Sequence, residues 1–296
     1  MIAFVENLRP RQWTKNLILF AGLIFSQNTA ETGLLFRAAF GFFIFCLLSG
    51  AVYVMNDIAD AAMDRRHPIK KNRPIASGRL DPRTAAFGAI GLVAMSLVSA
   101  FLLGRGFGFT AGGYLLLNVV YTFVLKKIVI LDVLGIAGGF VLRAVGSVEV
   151  LREATDHIPL SPWLILCTAL LAMFLGFAKR RAEFVVEQTG TGTIRPTLHN
   201  YSELLLNLLI GGSFALTVTA YILYTVSQGT IAQFQTGNLV FTVPFVVTGM
   251  SRYLVLVFKD GQGGHPHEIL LTDGRIQLSV LGWIITACLV IGLRQS

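Results

Sequence analysis

Nine near-continuous apolar runs, at about 16–30, 34–56, 83–103, 107–125, 129–148, 162–178, 204–226, 239–257 and 277–293, dominate this sequence. Their length is the decisive property. A helix needs about 20 apolar residues, within a range of about 17–25, to cross the hydrocarbon of a bilayer, and most of the runs match that. In lipid the backbone must satisfy its own hydrogen bonds, which leaves helices or closed barrels. Strict two-residue alternation is absent, so a barrel is excluded. The chain is therefore expected to be all-α: a polytopic membrane protein with nine transmembrane helices, the first of them short. Composition agrees. Apolar residues make up 54% and charged residues 14% of the chain, against about 45–50% and about 25% in a soluble domain. Cys46, Cys167 and Cys288 are odd in number and sit in apolar runs, so they read as small core hydrophobes and not as a disulfide scaffold.

The basic residues set the orientation. Alternate polar segments, at 1–15, 57–83, 126–128, 179–200 and 258–276, hold 18 of the 24 Lys and Arg, and the opposite set holds four, Arg37, Arg105, Arg152 and Arg294. The richer side is cytoplasmic by the positive-inside rule. This places the N-terminus inside and the C-terminus, after nine crossings, outside. The N-terminal segment carries Arg9, Arg11 and Lys15 without a convincing cleavage site, so it is expected to be retained. The net charge of +8 is then a topology signal and gives no reason to expect nucleic acid. One transmembrane catalytic domain, 1–296, is expected, with cytoplasmic connections at about 57–83, 179–203 and 258–276.

The second run ends in a polar stripe. Asn56 and Asp57 are followed by Asp60 and Asp64, and acids at i, i+3 and i+7 share one face of a helix. Three carboxylates on one stripe repel one another unless a cation neutralises them. Hard oxygen ligands suit Mg²⁺, which shares its shell with substrate phosphates. A solvated helix end is the bland alternative. Next comes Arg65-Arg66-His67-Pro68-Ile69-Lys70-Lys71-Asn72-Arg73-Pro74. These cations either only mark topology or clamp a phosphate-rich substrate, with Arg65, Lys70 and Arg73 as the candidate clamps. Pro68 and Pro74 stop helix propagation, so a structured loop is expected there.

Asn56-Asp57 with Asp60 and Asp64 resembles the N-D-x-x-D-x-x-x-D signature of the UbiA-type intramembrane prenyltransferase superfamily, and Arg73-Pro74-Ile75 fits as well. The resemblance implies a UbiA-like nine-helix bundle in which the aspartates bind Mg²⁺, or Mn²⁺ in its place, and a pyrophosphate in a cavity open to the cytoplasm. Ordinary members carry a second aspartate-rich motif at the end of the sixth helix. Here that place reads Lys179-Arg180-Arg181-Ala182-Glu183. Bases in place of acids suit a bare phosphate, bound directly. The opening Leu8-Arg9-Pro10-Arg11-Gln12-Trp13-Thr14-Lys15-Asn16, the run Tyr121-Thr122-Phe123-Val124-Leu125-Lys126 and the stretch Gly261-Gln262-Gly263-Gly264-His265-Pro266-His267-Glu268 are similar to the polyprenyl-phosphate phosphoribosyltransferase branch.

That branch implies transfer of 5-phosphoribose from phosphoribosyl pyrophosphate to a polyprenyl phosphate in the bilayer of the cell inner membrane, with the site facing the cytoplasm. Asp57, Asp60, Asp64 and Lys126 are then the candidate catalytic residues. Lys15, Asn16, Asn56, Arg65, Lys70, Arg73, Tyr121, Asp132, Lys179, Arg180, Arg181 and Glu183 are the candidate binding residues. Asp132 and Arg143, eleven residues apart, share a face of the fifth span, with Asp132 near the cytoplasmic end. Gly135, Gly138 and Gly139 read as small residues for close helix packing. His265 and His267 could be metal ligands or ordinary loop histidines. The segment 258–276 is expected to close over the aspartates as a lid. Prenyl transfer to a small acceptor is the alternative activity, a transporter a more distant one, and homo-oligomerisation stays open.

Overall fold

The apolar runs fold as helices, and no strand is found among the described residues of the computed structural model, which are 2–26, 31–155, 158–188, 197–259, 264 and 266–292. Eight of these helices are long and apolar enough to cross a membrane. The protein is a multi-pass membrane protein. The chain divides into two compact units, residues 1–161 with 192–197, and residues 162–191 with 198–296.

The first unit contains α1 (Ile2–Asn7), a 3₁₀ helix (Pro10–Phe20), α2 (Ala21–Ser26), α3 (Thr32–Asp64), α4 (Pro82–Leu103), α5 (Arg105–Phe123) and α6 (Leu131–Arg152). The first apolar run is therefore not one long α-helix. Eleven 3₁₀ residues are followed by six α-helical ones. Inside this segment Asn16 is fully buried. Its amide donates to Ser49 Oγ at 3.1 Å and Cys46 Sγ at 3.3 Å, and its oxygen accepts from Arg143 Nε at 2.7 Å. Arg143 also donates to Tyr114 Oη at 2.8 Å and to the Gly139 carbonyl at 3.1 Å. One buried guanidinium thus joins α6 and α5 to the 3₁₀ segment, and Asn16 continues the link to α3.

Small residues let these elements approach. A Cβ on Gly22 of α2 would lie 2.0 Å from the Ser147 carbonyl oxygen of α6. Backbone cannot swing aside as a side chain does. Gly22→Ala is therefore expected to cost about 1–3 kcal/mol through forced separation of the two helices. Thermal unfolding in detergent checks this, and an unchanged midpoint would rule out so close a contact. Gly135 and Gly138 of α6 are packing positions in the same sense, lying against Tyr121 and Leu117 of α5.

The second unit contains α7 (Pro162–Gln188), α8 (Glu203–Val226), α9 (Gln228–Phe234), α10 (Val243–Phe258), α11 (Pro266–Thr272) and α12 (Gly274–Gly292). Trp283 of α12 donates to Tyr221 Oη of α8 at 2.6 Å, and that hydroxyl meets Thr242 Oγ1 at 2.7 Å. Arg252 of α10 pairs with Asp273 at 2.8 Å, while the other carboxylate oxygen of Asp273 accepts the first amides of α12, from Arg275 and Ile276. Of the segment 258–276, the described residues form α11 and this cap. Residues 260–263 and His265 lie outside the described residues, as does the side chain of His267.

Candidate functional site

The acidic stripe sits on the last two turns of α3, which runs unbroken for 33 residues from the apolar run through Asp64. Helical geometry separates the three acids. Seven residues come to within about 20° of two full turns, so Asp57 and Asp64 stand above one another, while Asp60 is offset by about 60°. The side chains divide accordingly. Asp57 and Asp64 are buried and meet on one guanidinium nitrogen, Arg73 Nη1, at 2.9 and 2.6 Å. Arg9 donates to the same Asp57 oxygen. Asp60 is half-buried and pairs with Lys126 Nζ at 2.6 Å.

Among the described residues no group of three Asp, Glu, His or Cys side chains is arranged to hold a metal. The expected convergence of three carboxylates is thus realised for two, with a guanidinium nitrogen between them in the position of a shared cation. Two buried carboxylates with hard oxygen donors and a single cationic centre between them suit a divalent ion of the Mg²⁺ type.

Arg73 is aimed by the loop that carries it. Ile75 and Leu80, each worth about 1.5–3 kcal/mol on full burial, pack with Leu8, Ala51, Val54, Ala85 and Ala89 and so plug the loop into the bundle. Gly78, at φ +79°, supplies the left-handed turn between them. Arg79 fastens the loop to α1 through two 2.8 Å bonds to Glu6, whose carboxyl is held below its usual range by that guanidinium. Upstream, His67 Nδ1 accepts from the amides of Ile69 and Lys70 at 3.1 and 3.3 Å. Partial burial and the Lys70 charge lower the His67 pKa, which keeps that nitrogen an acceptor. Asp81 caps α4 by accepting from the Thr84 amide at 3.0 Å.

Lys126 comes from the 3₁₀ turn Leu125–Lys127 after α5. In the preceding turn Thr122 donates to Asn56, so the head of the acidic stripe is tied to α5. Tyr121 packs over Gly135, where a Cβ would come within 2.9 Å of the ring. Asp132 is fully buried in the first turn of α6, where the helix dipole favours a negative charge. Two non-glycine residues hold left-handed backbone nearby, Arg9 at φ 53° and Ile130 at φ 69°. For a β-branched isoleucine this is costly, and such strain gathers at functional sites.

The remaining expected residues have the following contacts. Asn16 belongs to the buried Arg143 network, where its amide is already fully used. Lys15 donates to Gln12 at 2.9 Å. Arg65 and Lys70 are exposed. In the second unit Arg180 is buried and paired with Glu183. Arg181 joins its helix to α8 and α10, through Asn207 at 2.8 Å, Glu203 and the Val257 carbonyl at 3.3 Å, and the ring of Phe258. Lys179 is 39% exposed, 4.0 Å from Glu183. The sequence reading did not identify Arg9 as an aspartate partner, although it lies inside the opening motif. It also missed Glu6, for which no local pattern exists, and the role of Thr122, which lies inside the Tyr121–Lys126 run.

The profile of the UbiA prenyltransferase family matches residues 17–263. The chain belongs to this family. The UbiA fold is seen again in a UbiA homologue from Archaeoglobus fulgidus bound to GPP and Mg²⁺, which superposes with a TM-score of 0.71 at 18% identity over 98% of this chain and 99% of that one. Within the family the chain is similar to the decaprenyl-phosphate phosphoribosyltransferase of Mycolicibacterium smegmatis, at 32% identity over 95% of this chain and 90% of that protein. It is also similar to the decaprenyl-phosphate phosphoribosyltransferase of Corynebacterium glutamicum, at 31% identity over 98% and 86%.

Proposed function

We propose that this UbiA-family protein moves 5-phosphoribose from phosphoribosyl pyrophosphate to the phosphate of a membrane polyprenyl phosphate, releasing pyrophosphate. The observation that carries this reading is the similarity to decaprenyl-phosphate phosphoribosyltransferases over nearly the whole of both chains, 95% and 90% for one of them. The charge of the site supports it. Asp57 and Asp64, with Asp60 beside them, would hold Mg²⁺ or Mn²⁺, and the ion would neutralise the departing pyrophosphate.

The chain's own cations have a matching task. Arg9, Arg73 and Lys126 rest on the aspartates and can turn to phosphate oxygens when a donor arrives, forming charge-assisted hydrogen bonds. The bond from the anomeric carbon to pyrophosphate breaks as an oxygen of the lipid phosphate bonds to that carbon. This single displacement inverts the centre. The attacking phosphate is already anionic near neutral pH, so no Ser–His pair is required. The basic run Lys179-Arg180-Arg181 is a further candidate for a bare phosphate, which its charge suits. The enzyme sits in the inner membrane with this site facing the cytoplasm.

Incubating the purified protein in lipid bilayers with labelled phosphoribosyl pyrophosphate, Mg²⁺ and decaprenyl phosphate tests the reading. Label should enter the lipid, and chelation should stop it. Product formed only from a prenyl diphosphate and an aromatic acceptor would replace phosphoribosyl transfer by prenyl transfer.

A further inference from the structure

The segment Pro10–Phe20 holds 3₁₀ winding for eleven residues, where runs beyond about three or four are uncommon because the hydrogen-bond geometry is poorer. Its consequence is alignment. At three residues per turn, side chains three apart eclipse. Gln12 and Lys15 therefore stand in one row, and Lys15 Nζ donates to Gln12 Oε1 at 2.9 Å. Arg9, which caps the segment and rests on Asp57, stands at the head of that row. Six residues at about 2.0 Å each put Lys15 about 12 Å from Arg9 along the axis. An α-helix, turning about 100° per residue, would swing Lys15 about 120° away from Arg9.

The row ends in positive charge that no acid offsets. Lys15 and Arg143 make no ion pair among the described residues. Arg143 and Arg9 both act on Lys15 as like charges. Arg9 has Asp57, whereas buried Arg143 has only the oxygens of Asn16, Gly139 and Tyr114 on its nitrogens. A cation buried without a counter-ion is costly, and ionisable groups inside a membrane bundle mark substrate paths. Tyr53, one turn before Asp57 on α3, lies in the field of the same two guanidinium groups, with Arg9 5.1 Å over its ring. Its hydroxyl makes no hydrogen bond among the described residues. Lys15 and Tyr53 are both half-buried, so an incoming group can reach them while Arg143 contributes charge from behind.

We propose that Lys15 and Tyr53, backed by Arg143, bind a phosphate monoester directly, apart from the pyrophosphate assigned to the aspartates. The proposal rests on the phosphoribosyl reading above, in which two such groups occur, the phosphate of the lipid acceptor and the 5-phosphate of the donor. Either is anionic and offers several oxygens to an ammonium and a hydroxyl, as charge-assisted hydrogen bonds require. The like charges of Lys15 and Arg143 are then offset by the ligand. The 3₁₀ winding acquires a purpose, because it holds Lys15 in line with the residue that meets the aspartates.

Lys15→Met tests the proposal in protein reconstituted into bilayer discs with Mg²⁺ present. Binding of decaprenyl phosphate, of phosphoribosyl pyrophosphate and of pyrophosphate alone is compared with wild type. At least one of the two monoesters should bind about tenfold or more weakly, about 1.4 kcal/mol, while pyrophosphate stays within about twofold. Loss confined to decaprenyl phosphate assigns the site to the acceptor, and loss confined to phosphoribosyl pyrophosphate assigns it to the 5-phosphate. Lys15→Arg keeps the charge and should recover most of the loss. The melting temperature of Lys15→Met should hold or rise, since its neighbours repel the charge removed. Tyr53→Phe takes away no native hydrogen bond and should weaken the same ligand about threefold or more, which keeps the test open if Lys15→Met disturbs the segment. No loss for any ligand, or an equal loss for pyrophosphate, would overturn the site while wild-type phosphoribosyl transfer stands. Absence of that transfer in the wild-type protein would instead remove the reading on which the site rests.

Discussion

Asp57→Ala and Asp64→Ala should each lower transfer at least about a thousandfold, the equivalent of about 4 kcal/mol of transition-state stabilisation. The two carboxylates are buried, stacked on one helical face and joined through a single cation. Removing either leaves one buried carboxylate, with Asp60 to one side, where two would share the ion. The loss should be one of chemistry and not of folding. Arg9 and Arg73 are 22% and 28% exposed, so their charges can turn to water when a carboxylate is deleted. Asp60→Ala should cost less, because Asp60 stands to one side and is shared with Lys126. Initial rates at saturating donor, with the melting temperature recorded for each variant, check the order. Activity of Asp57→Ala within tenfold of wild type would remove the acidic stripe from the mechanism.

Arg73→Met should have two effects of opposite sign. With no donor present, the Arg73 guanidinium competes with a metal for both Asp57 and Asp64, since one nitrogen lies 2.9 and 2.6 Å from them. Methionine fills similar volume without charge. Divalent-ion affinity of the free enzyme should therefore rise at least about tenfold, about 1.4 kcal/mol. Donor binding moves the other way. On the proposed phosphoribosyl reading the same guanidinium turns onto pyrophosphate, so kcat/KM should fall about a hundredfold, about 2.7 kcal/mol. A neutral change at an ordinary surface arginine would move neither quantity. Unchanged metal affinity would show that the arginine does not hold the cation position in the free enzyme.

Much of this architecture was legible because lipid leaves the backbone few choices. Run length predicted the eight long apolar helices found among the described residues, and the i, i+3, i+7 spacing placed the acids on one face before any partner was known. The first run is the instructive difference. Its length suggested a helix, but a window of apolar residues does not distinguish α from 3₁₀ winding. That choice depends on tertiary partners of Asn16 contributed by α3 and α6.

The partners of the acids were not legible. Helical periodicity states which residues share a face, but not which face of another helix meets it. Lys126 is 66 residues from Asp60, Arg9 is 48 from Asp57 and Arg79 is 73 from Glu6. Each pairing depends on helix rotation and on glycine-mediated approach, which packing decides. The sequence alone therefore determined a membrane-embedded helical chain with a carboxylate stripe at a helix end. Only the tertiary structure decided that Asp57 and Asp64 share Arg73 while Asp60 rests on Lys126, because the free energy of those contacts comes from groups brought together by packing and not by local order.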